Sequence, residues 1–116
     1  MILIAVVVGG AVTVGIASSL LSKGGCVEHS VVIRDDKVSP QATTGKVCDT
    51  MKITNDDDVT RLMAFGVHDH HQAYDGITDR ILHKGESMTF TFDQVGSFHF
   101  HDHLHDEVEG YFTVKR

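Results

Sequence analysis

The chain has 116 residues, of which 10 are Lys or Arg, 16 are Asp or Glu and nine are His, so its formal net charge is −6 with neutral histidines. This length leaves room for one small domain. An acidic chain without a basic stripe argues against nucleic acid and anionic lipid surfaces as partners, and it suits the capture of cations.

Residues 1–22, MILIAVVVGGAVTVGIASSLLS, contain no charged side chain. About 20 apolar residues are enough to cross the hydrocarbon core of a membrane as a helix. The run is long for the apolar region of a secretory signal, no basic residue precedes it, and it has no clear cleavage site. We therefore predict an uncleaved N-terminal transmembrane helix over residues 1–22, with a removed secretory signal as the alternative.

Residues 23–26 are predicted to be a short linker, and residues 27–116 a single domain. Because a membrane or export segment leads the chain, we expect this domain outside the cytoplasm, in the periplasm or the extracellular space, where disulfides are permitted. Cys26 and Cys48 are the only cysteines. Their spacing matches no paired zinc motif, and a disulfide, two free thiols and a soft metal site all remain open.

Short β-type segments separated by turn signals fill the domain. The strands are predicted over residues 27–34, 46–55 with a break near Cys48–Asp49, 59–67, 77–82, 87–92, 98–101 and 110–114, and a polar loop over residues 68–76. Strands of this length at regular spacing indicate an all-β sandwich. Beyond the N-terminal segment, no stretch shows helical periodicity.

The last quarter of the domain concentrates histidine. Eight of the nine histidines lie between residues 68 and 105, and four of them alternate from His99 to His105 beside a cluster of carboxylates. Imidazole and carboxylate together are the usual ligands of a divalent transition metal. We therefore predict metal binding here, whereas His29 and His83 are isolated and are not expected to be ligands.

Four motifs resemble those of the cupredoxins, the Greek-key β-sandwiches that include amicyanin and plastocyanin. They are Gly45 through Asp49-Thr50 to Asn55; Gly85-Glu86-Ser87 leading to Phe90 and Phe92; Gly96 with Phe98 and Phe100; and Gly110 to Val114. The resemblance spans roughly residues 27–116. It implies a cupredoxin-like Greek-key β-sandwich and copper as the cofactor. Zinc is the alternative metal, because carboxylate and imidazole ligands suit it as well.

The resemblance also implies where the family's copper ligands fall. The first His position falls on Arg61, the Cys position on Asp102, the second His position on His105 and the Met position on Val108. Only His105 is kept. Because a blue copper site needs a Cys thiolate, we predict no such site here. Asp102 and His105 are candidate ligands of a harder type 2 site, and an Arg61–Asp102 salt bridge closing the loop is the main rival.

Strand alternation suggests a second place for metal. Phe98 and Phe100 should face the core, so His99, His101 and His103 should form an exposed stripe on the opposite face. Histidines of the 68–76 loop would complete that stripe if the loop lies beside it. The full candidate set of metal ligands is His99, His101, Asp102, His103, His105, His68, His70 and His71.

These observations predict a membrane-anchored, extracytoplasmic cupredoxin-like protein that binds copper, most simply Cu(II) in a His/Asp type 2 site, for handling or storage. The alternative is a metal-free β-sandwich that acts as an interaction module after losing its copper site. No enzymatic activity is expected, because the sequence gives no sign of a substrate pocket or of a second electron-transfer centre. No protein partner is identifiable.

Overall fold

The computed structural model describes residues 25–67 and 70–116. The predicted anchor, residues 1–22, and the candidate ligand His68 lie outside these residues. Within them, no helix has the length and apolar character needed to cross a membrane.

Ten β-strands make up the described part of the chain. They are β1 Glu28–Arg34, β2 Lys37–Ser39, β3 Ala42–Lys46, β4 Thr50–Asn55, β5 Arg61–Val67, β6 His70–His71, β7 Asp79–Leu82, β8 Ser87–Thr91, β9 Gly96–Asp102 and β10 His105–Lys115. The predicted strands all have counterparts among them, because alternating β-branched and aromatic residues between turn signals specify such strands well.

The strands form two sheets. One has the order β2-β1-β4-β8, and the other has the order β3-β10-β9-β5-β6, with β7 also paired to β5. The pairs β1 with β4 and β3 with β10 are parallel, and the other pairs are antiparallel. The predicted all-β sandwich is confirmed.

Aromatic rings fill the space between the sheets. Phe92 stacks on Phe112 with ring centroids 5.3 Å apart, and Phe65 meets Phe90 edge to face at 4.9 Å. Burying each such ring contributes about 1.5–3 kcal/mol. The rings also explain Gly110, since a Cβ atom there would lie 2.4 Å from the ring of Phe100.

The predicted strand 46–55 is in fact the junction of two strands. β3 ends at Lys46 and β4 begins at Thr50 in the other sheet, so the break expected near Cys48–Asp49 is where the chain crosses between sheets. Cys48 has φ 89°, in the left-handed region. β3 itself, ATTGK, was not predicted as a strand because it lacks the apolar alternation that marks one.

The crossing is fastened by a disulfide and a buried carboxylate. Cys26 and Cys48 form the disulfide, which settles the three alternatives left open by their spacing. Asp49 accepts hydrogen bonds from the Lys46 ammonium at 2.8 Å and from the amide of Val27 at 3.0 Å, and its carboxylate lies 2.8 Å from His29 Nε2. Burial alone would raise the pKa of Asp49, but these hydrogen bonds hold it well below its usual range.

The segment predicted to be a metal loop between β9 and β10 is a tight hairpin. Asp102 pairs directly with His105, and the ladder then shifts register through a bulge before Glu109 pairs with His101. Strand structure therefore runs through the stretch that the resemblance implied was a loop. The predicted loop 68–76 likewise contains the short strand β6, which pairs with the end of β5.

Candidate metal centre

The outer face of β9 is not an exposed histidine stripe. His101 is 1% exposed, whereas His103 is exposed and the side chain of His99 is 16% exposed. The prediction that all three face solvent was wrong for His101. Alternation places its ring opposite Phe100, but on that side it meets the ring of His71 and the Gly66 carbonyl, both in the β5–β6 hairpin.

The β5–β6 hairpin has small residues, Ala64 and Gly66, on the side that meets His101. Ala64 pairs with His101 across the β5–β9 ladder, and Gly66 pairs with His71 across the hairpin. Gly66 has φ 90°, and a Cβ atom there would lie 2.2 Å from the carbonyl oxygen of His70. A methyl group and a bare backbone thus leave the space in which the rings of His71 and His101 meet.

Three histidines converge at this point. The Nε2 atoms of His71 and His101 are 3.2 Å apart, and one ring nitrogen from each of His71, His101 and His103 lies within 4.8 Å of the other two. The ring centroids of His71 and His103 are 4.8 Å apart. We call these three residues the histidine triad.

The triad has a spacing that suits one metal ion. Nitrogen ligands bind zinc at about 2.0–2.1 Å, so two of them on one tetrahedral ion lie about 3.3 Å apart. His71 and His101 already have this separation, and His103 is exposed, so its ring has room to move inward. The three nitrogen donors therefore match part of the coordination of a transition metal.

The buried member of the triad is oriented by the backbone. His101 Nδ1 lies 2.9 Å from the carbonyl oxygen of Gly66, which only accepts hydrogen bonds, so Nδ1 carries the proton and Nε2 offers its lone pair on the triad side. Burial lowers the pKa of His101, and the neighbouring His71 and His99 lower it further. Both effects favour the neutral imidazole that a metal requires.

Among the described residues, the other candidate histidines are not part of the triad. His99 Nδ1 contacts the Gly66 carbonyl at 2.9 Å and its Nε2 lies 2.7 Å from a Glu109 carboxylate oxygen. His70 is exposed beside His71 on β6. Among the isolated histidines, His29 stacks on Phe92 and contacts Asp49, as expected of a structural residue.

Asp102 occupies the opposite, inward face of β9 and is fully buried. One carboxylate oxygen accepts hydrogen bonds from the amides of Leu62 and Leu104, and the other lies 3.1 Å from Arg61 Nη1 and 3.0 Å from His105 Nδ1. Burial would raise the pKa of Asp102, but these partners lower it overall. Both oxygens are thus already engaged within the protein.

Arg61 is the buried partner of Asp102. Its fully buried guanidinium contacts Asp36 and Asp57 at 2.7 Å as well as Asp102. Burial would lower the pKa of Arg61, yet the three carboxylates raise it. The Arg61–Asp102 salt bridge, which the sequence offered as the rival to a metal in this loop, is present. The roles of Asp36 and Asp57 were missed, because no local signal links two turn residues to a strand 25 and four positions away.

A cleft of about 300 Å³ lies next to the triad. It separates the β5–β6 hairpin from the first half of β9, and Phe65, Tyr74, Phe98 and His99 are among the residues that line it. None of the triad residues is among its lining residues. The triad instead faces solvent through the exposed rings of His71 and His103.

No protein-family model and no curated protein matches this sequence. Solved structures do match it. A purple cupredoxin from Nitrosopumilus maritimus is 20% identical with a TM-score of 0.66, and the match covers 75% of this chain and 99% of that one. A reduced amicyanin variant is 21% identical with a TM-score of 0.62, covering 76% and 82%.

A Cu(I) form of another amicyanin variant is 19% identical with a TM-score of 0.64 and covers 76% of this chain and 82% of that one. The chain therefore has the cupredoxin fold, and the resemblance drawn from its motifs is confirmed at the level of the fold. At this identity the likeness concerns architecture, and the ligand set has to be argued from the residues themselves.

Proposed function

We propose that this protein binds copper through His71, His101 and His103 and serves in copper handling or storage. The observation that carries the proposal is the convergence of three ring nitrogens within 4.8 Å, one of them on a buried and backbone-oriented imidazole. A chance meeting of surface histidines would not bury one ring and fix its tautomer. The triad lies beside the position where the resemblance places copper ligands, but on the other face of β9.

Copper is favoured over other metals on two grounds. Imidazole suits copper, zinc, iron and nickel, and among divalent ions copper binds a given nitrogen site most tightly. The solved structures that share the fold include one named as a Cu(I) form of amicyanin and one named as a purple cupredoxin. Zinc remains the alternative metal, because three histidines and a solvent position also match its coordination.

The chemistry of the triad favours holding and exchanging metal over electron transfer through a blue centre. A blue site requires a Cys thiolate, and both cysteines are joined in the disulfide. Three nitrogen ligands would give Cu(II) a type 2 character. Two exposed ligands and an open position let the ion exchange with solvent or with a partner.

The proposal includes the location predicted from the sequence. The uncharged segment 1–22 would anchor the protein, and the domain would lie outside the cytoplasm. The disulfide supports an oxidising compartment. Flotation of native membranes after washing at high pH tests the anchor, since a protein without it would leave the membrane fraction.

The test of copper binding is a Cu(II) titration of the detergent-solubilised full chain, followed by electron paramagnetic resonance. One equivalent of Cu(II) with nitrogen hyperfine structure is expected. The double variant His101→Ala/His103→Ala should lose this signal, and His83→Ala, an exposed histidine bonded to Thr60, is the matched control. Failure of the wild type to bind one equivalent, or binding that survives the double variant, would refute the proposal.

A second candidate function is a metal-free interaction module, favoured by the Arg61–Asp102 salt bridge. In that case the Arg61 guanidinium takes the place of copper beside Asp102, and the histidines of the triad do not bind metal. Elemental analysis of the protein purified from its native membrane separates the two functions. Stoichiometric copper supports handling or storage, whereas the absence of any transition metal supports the module.

A further inference from the structure

One backbone carbonyl accepts hydrogen bonds from two histidine side chains. The carbonyl oxygen of Gly66 lies 2.9 Å from His99 Nδ1 and 2.9 Å from His101 Nδ1. A carbonyl oxygen has two lone pairs and only accepts, so each ring donates from Nδ1. Gly66 is the penultimate residue of β5 and has φ 90°, and its carbonyl oxygen meets both rings on the outer face of β9.

The two rings then differ in what their second nitrogen meets. His101 Nε2 is 3.2 Å from His71 Nε2, within the triad, whereas His99 Nε2 is 2.7 Å from the carboxylate of Glu109. Both nitrogens of His99 are therefore engaged by oxygen atoms of the protein. His99 links the β5–β6 hairpin, through Gly66, to β10, through Glu109.

We infer that His99 is a positioning residue for the metal centre, held by Glu109 and acting through the Gly66 carbonyl on the ring of His101. This inference rests on the proposed copper site and assigns to His99 a role different from that of a ligand. His99 fixes the carbonyl, the carbonyl fixes the Nδ1–H tautomer of His101, and His101 then presents Nε2 to the ion. Partners of this kind tune metal sites by orienting their ligands.

The inference predicts a specific pattern of copper affinities. His99→Leu removes the hydrogen bonds of His99 to the Gly66 carbonyl and to Glu109. Copper should then bind about 10- to 100-fold more weakly, the range typical for loss of such a partner. The number of coordinated nitrogens should stay at three. His99→Gln should recover much of the affinity, because its amide can donate to the Gly66 carbonyl, and His83→Leu serves as the off-site control.

Two measurements on the full chain decide the matter. Long-range ¹H–¹⁵N spectra of the metal-free protein should show Nδ1–H on His101 in the wild type and in His99→Gln, but a mixture of tautomers in His99→Leu. Pulsed paramagnetic resonance of the Cu(II) forms counts the imidazole ligands. Loss of one coordinated nitrogen in His99→Leu would overturn the inference by making His99 a ligand, and an unchanged tautomer with unchanged affinity would also overturn it.

The two readouts keep this inference separate from the proposed function. If the wild type binds no copper, the proposed function fails, yet the tautomer of His101 in His99→Leu still tests whether His99 positions that ring. If copper binds and the His101 tautomer is the same in the wild type and in His99→Leu, the proposed function stands and the positioning role of His99 is refuted.

Discussion

Replacing Arg61 by Met tests whether a buried salt bridge occupies the position where the fold's relatives are expected to hold a copper ligand. Arg61 and Asp102 are both 0% exposed, and their contact is 3.1 Å. The R61M variant fills the apolar part of the space but leaves the Asp102 carboxylate buried without its cation. This perturbation leaves the triad, on the other face of β9, with all its ligands.

The expected loss of stability follows from the remaining partners of Asp102. Removing one member of a buried ion pair costs about 3–5 kcal/mol. The amides of Leu62 and Leu104 and the ring of His105 still contact the carboxylate, so the lower end, about 3 kcal/mol, applies. For a domain of this size that loss lowers Tm by about 12–24 °C.

Urea unfolding followed by circular dichroism measures the effect, and the double variant R61M/D102N provides the control. The double variant removes the fully buried charge of Asp102, so it should be more stable than R61M. Asp36 and Asp57 lose their cation in both variants, so their contribution cancels in this comparison. A loss below about 1 kcal/mol in R61M, or a double variant no more stable than R61M, would refute this account of the closed position.

Three further predictions concern the scaffold. Folding lowers the pKa of Asp49, so this carboxylate stabilises the fold above its unfolded pKa of about 4, and that stabilisation is lost as pH falls below it. In D49N the free energy of unfolding should therefore fall less steeply with decreasing pH than in the wild type. An unchanged pH dependence would contradict the pKa shift. Gly110→Ala should cost about 1–3 kcal/mol in urea unfolding because its Cβ would press on Phe100, and a neutral variant would contradict this packing. Reducing the Cys26–Cys48 bridge, which spans 22 positions, should lower stability by about 3 kcal/mol, and calorimetry showing no change in Tm on reduction would contradict its structural role.

The architecture was largely predictable because strand signals are local. Alternation in SMTFTF and in the β9 segment identified core-facing phenylalanines, and both Phe90 and Phe100 are buried. β3 escaped prediction because ATTGK carries no apolar alternation and becomes a strand only by pairing in parallel with β10. Its strand state is a consequence of tertiary contacts, which no local pattern expresses.

The site was predictable in its residue types and less so in its arrangement. Alternation correctly separated His101 from Phe100, but it gives no information on what packs against the outer face. There His101 is buried and contacts His71 and the Gly66 carbonyl. The resemblance pointed to the Arg61–Asp102 pair as a rival to a metal, because it places both residues at ligand positions of the family. The shared Gly66 carbonyl was not predictable, since it depends on the backbone conformation of Gly66, with φ 90°, and on two histidine rings that meet one oxygen atom.

The most direct test of the central claim is anomalous diffraction at the copper absorption edge from crystals of the copper-loaded protein. The account predicts a single strong peak about 2 Å from Nε2 of His101, with ring nitrogens of His71 and His103 completing the ligands. A peak bound instead by Asp102 and His105, with Arg61 displaced, or no ordered peak at one equivalent of copper, would contradict it.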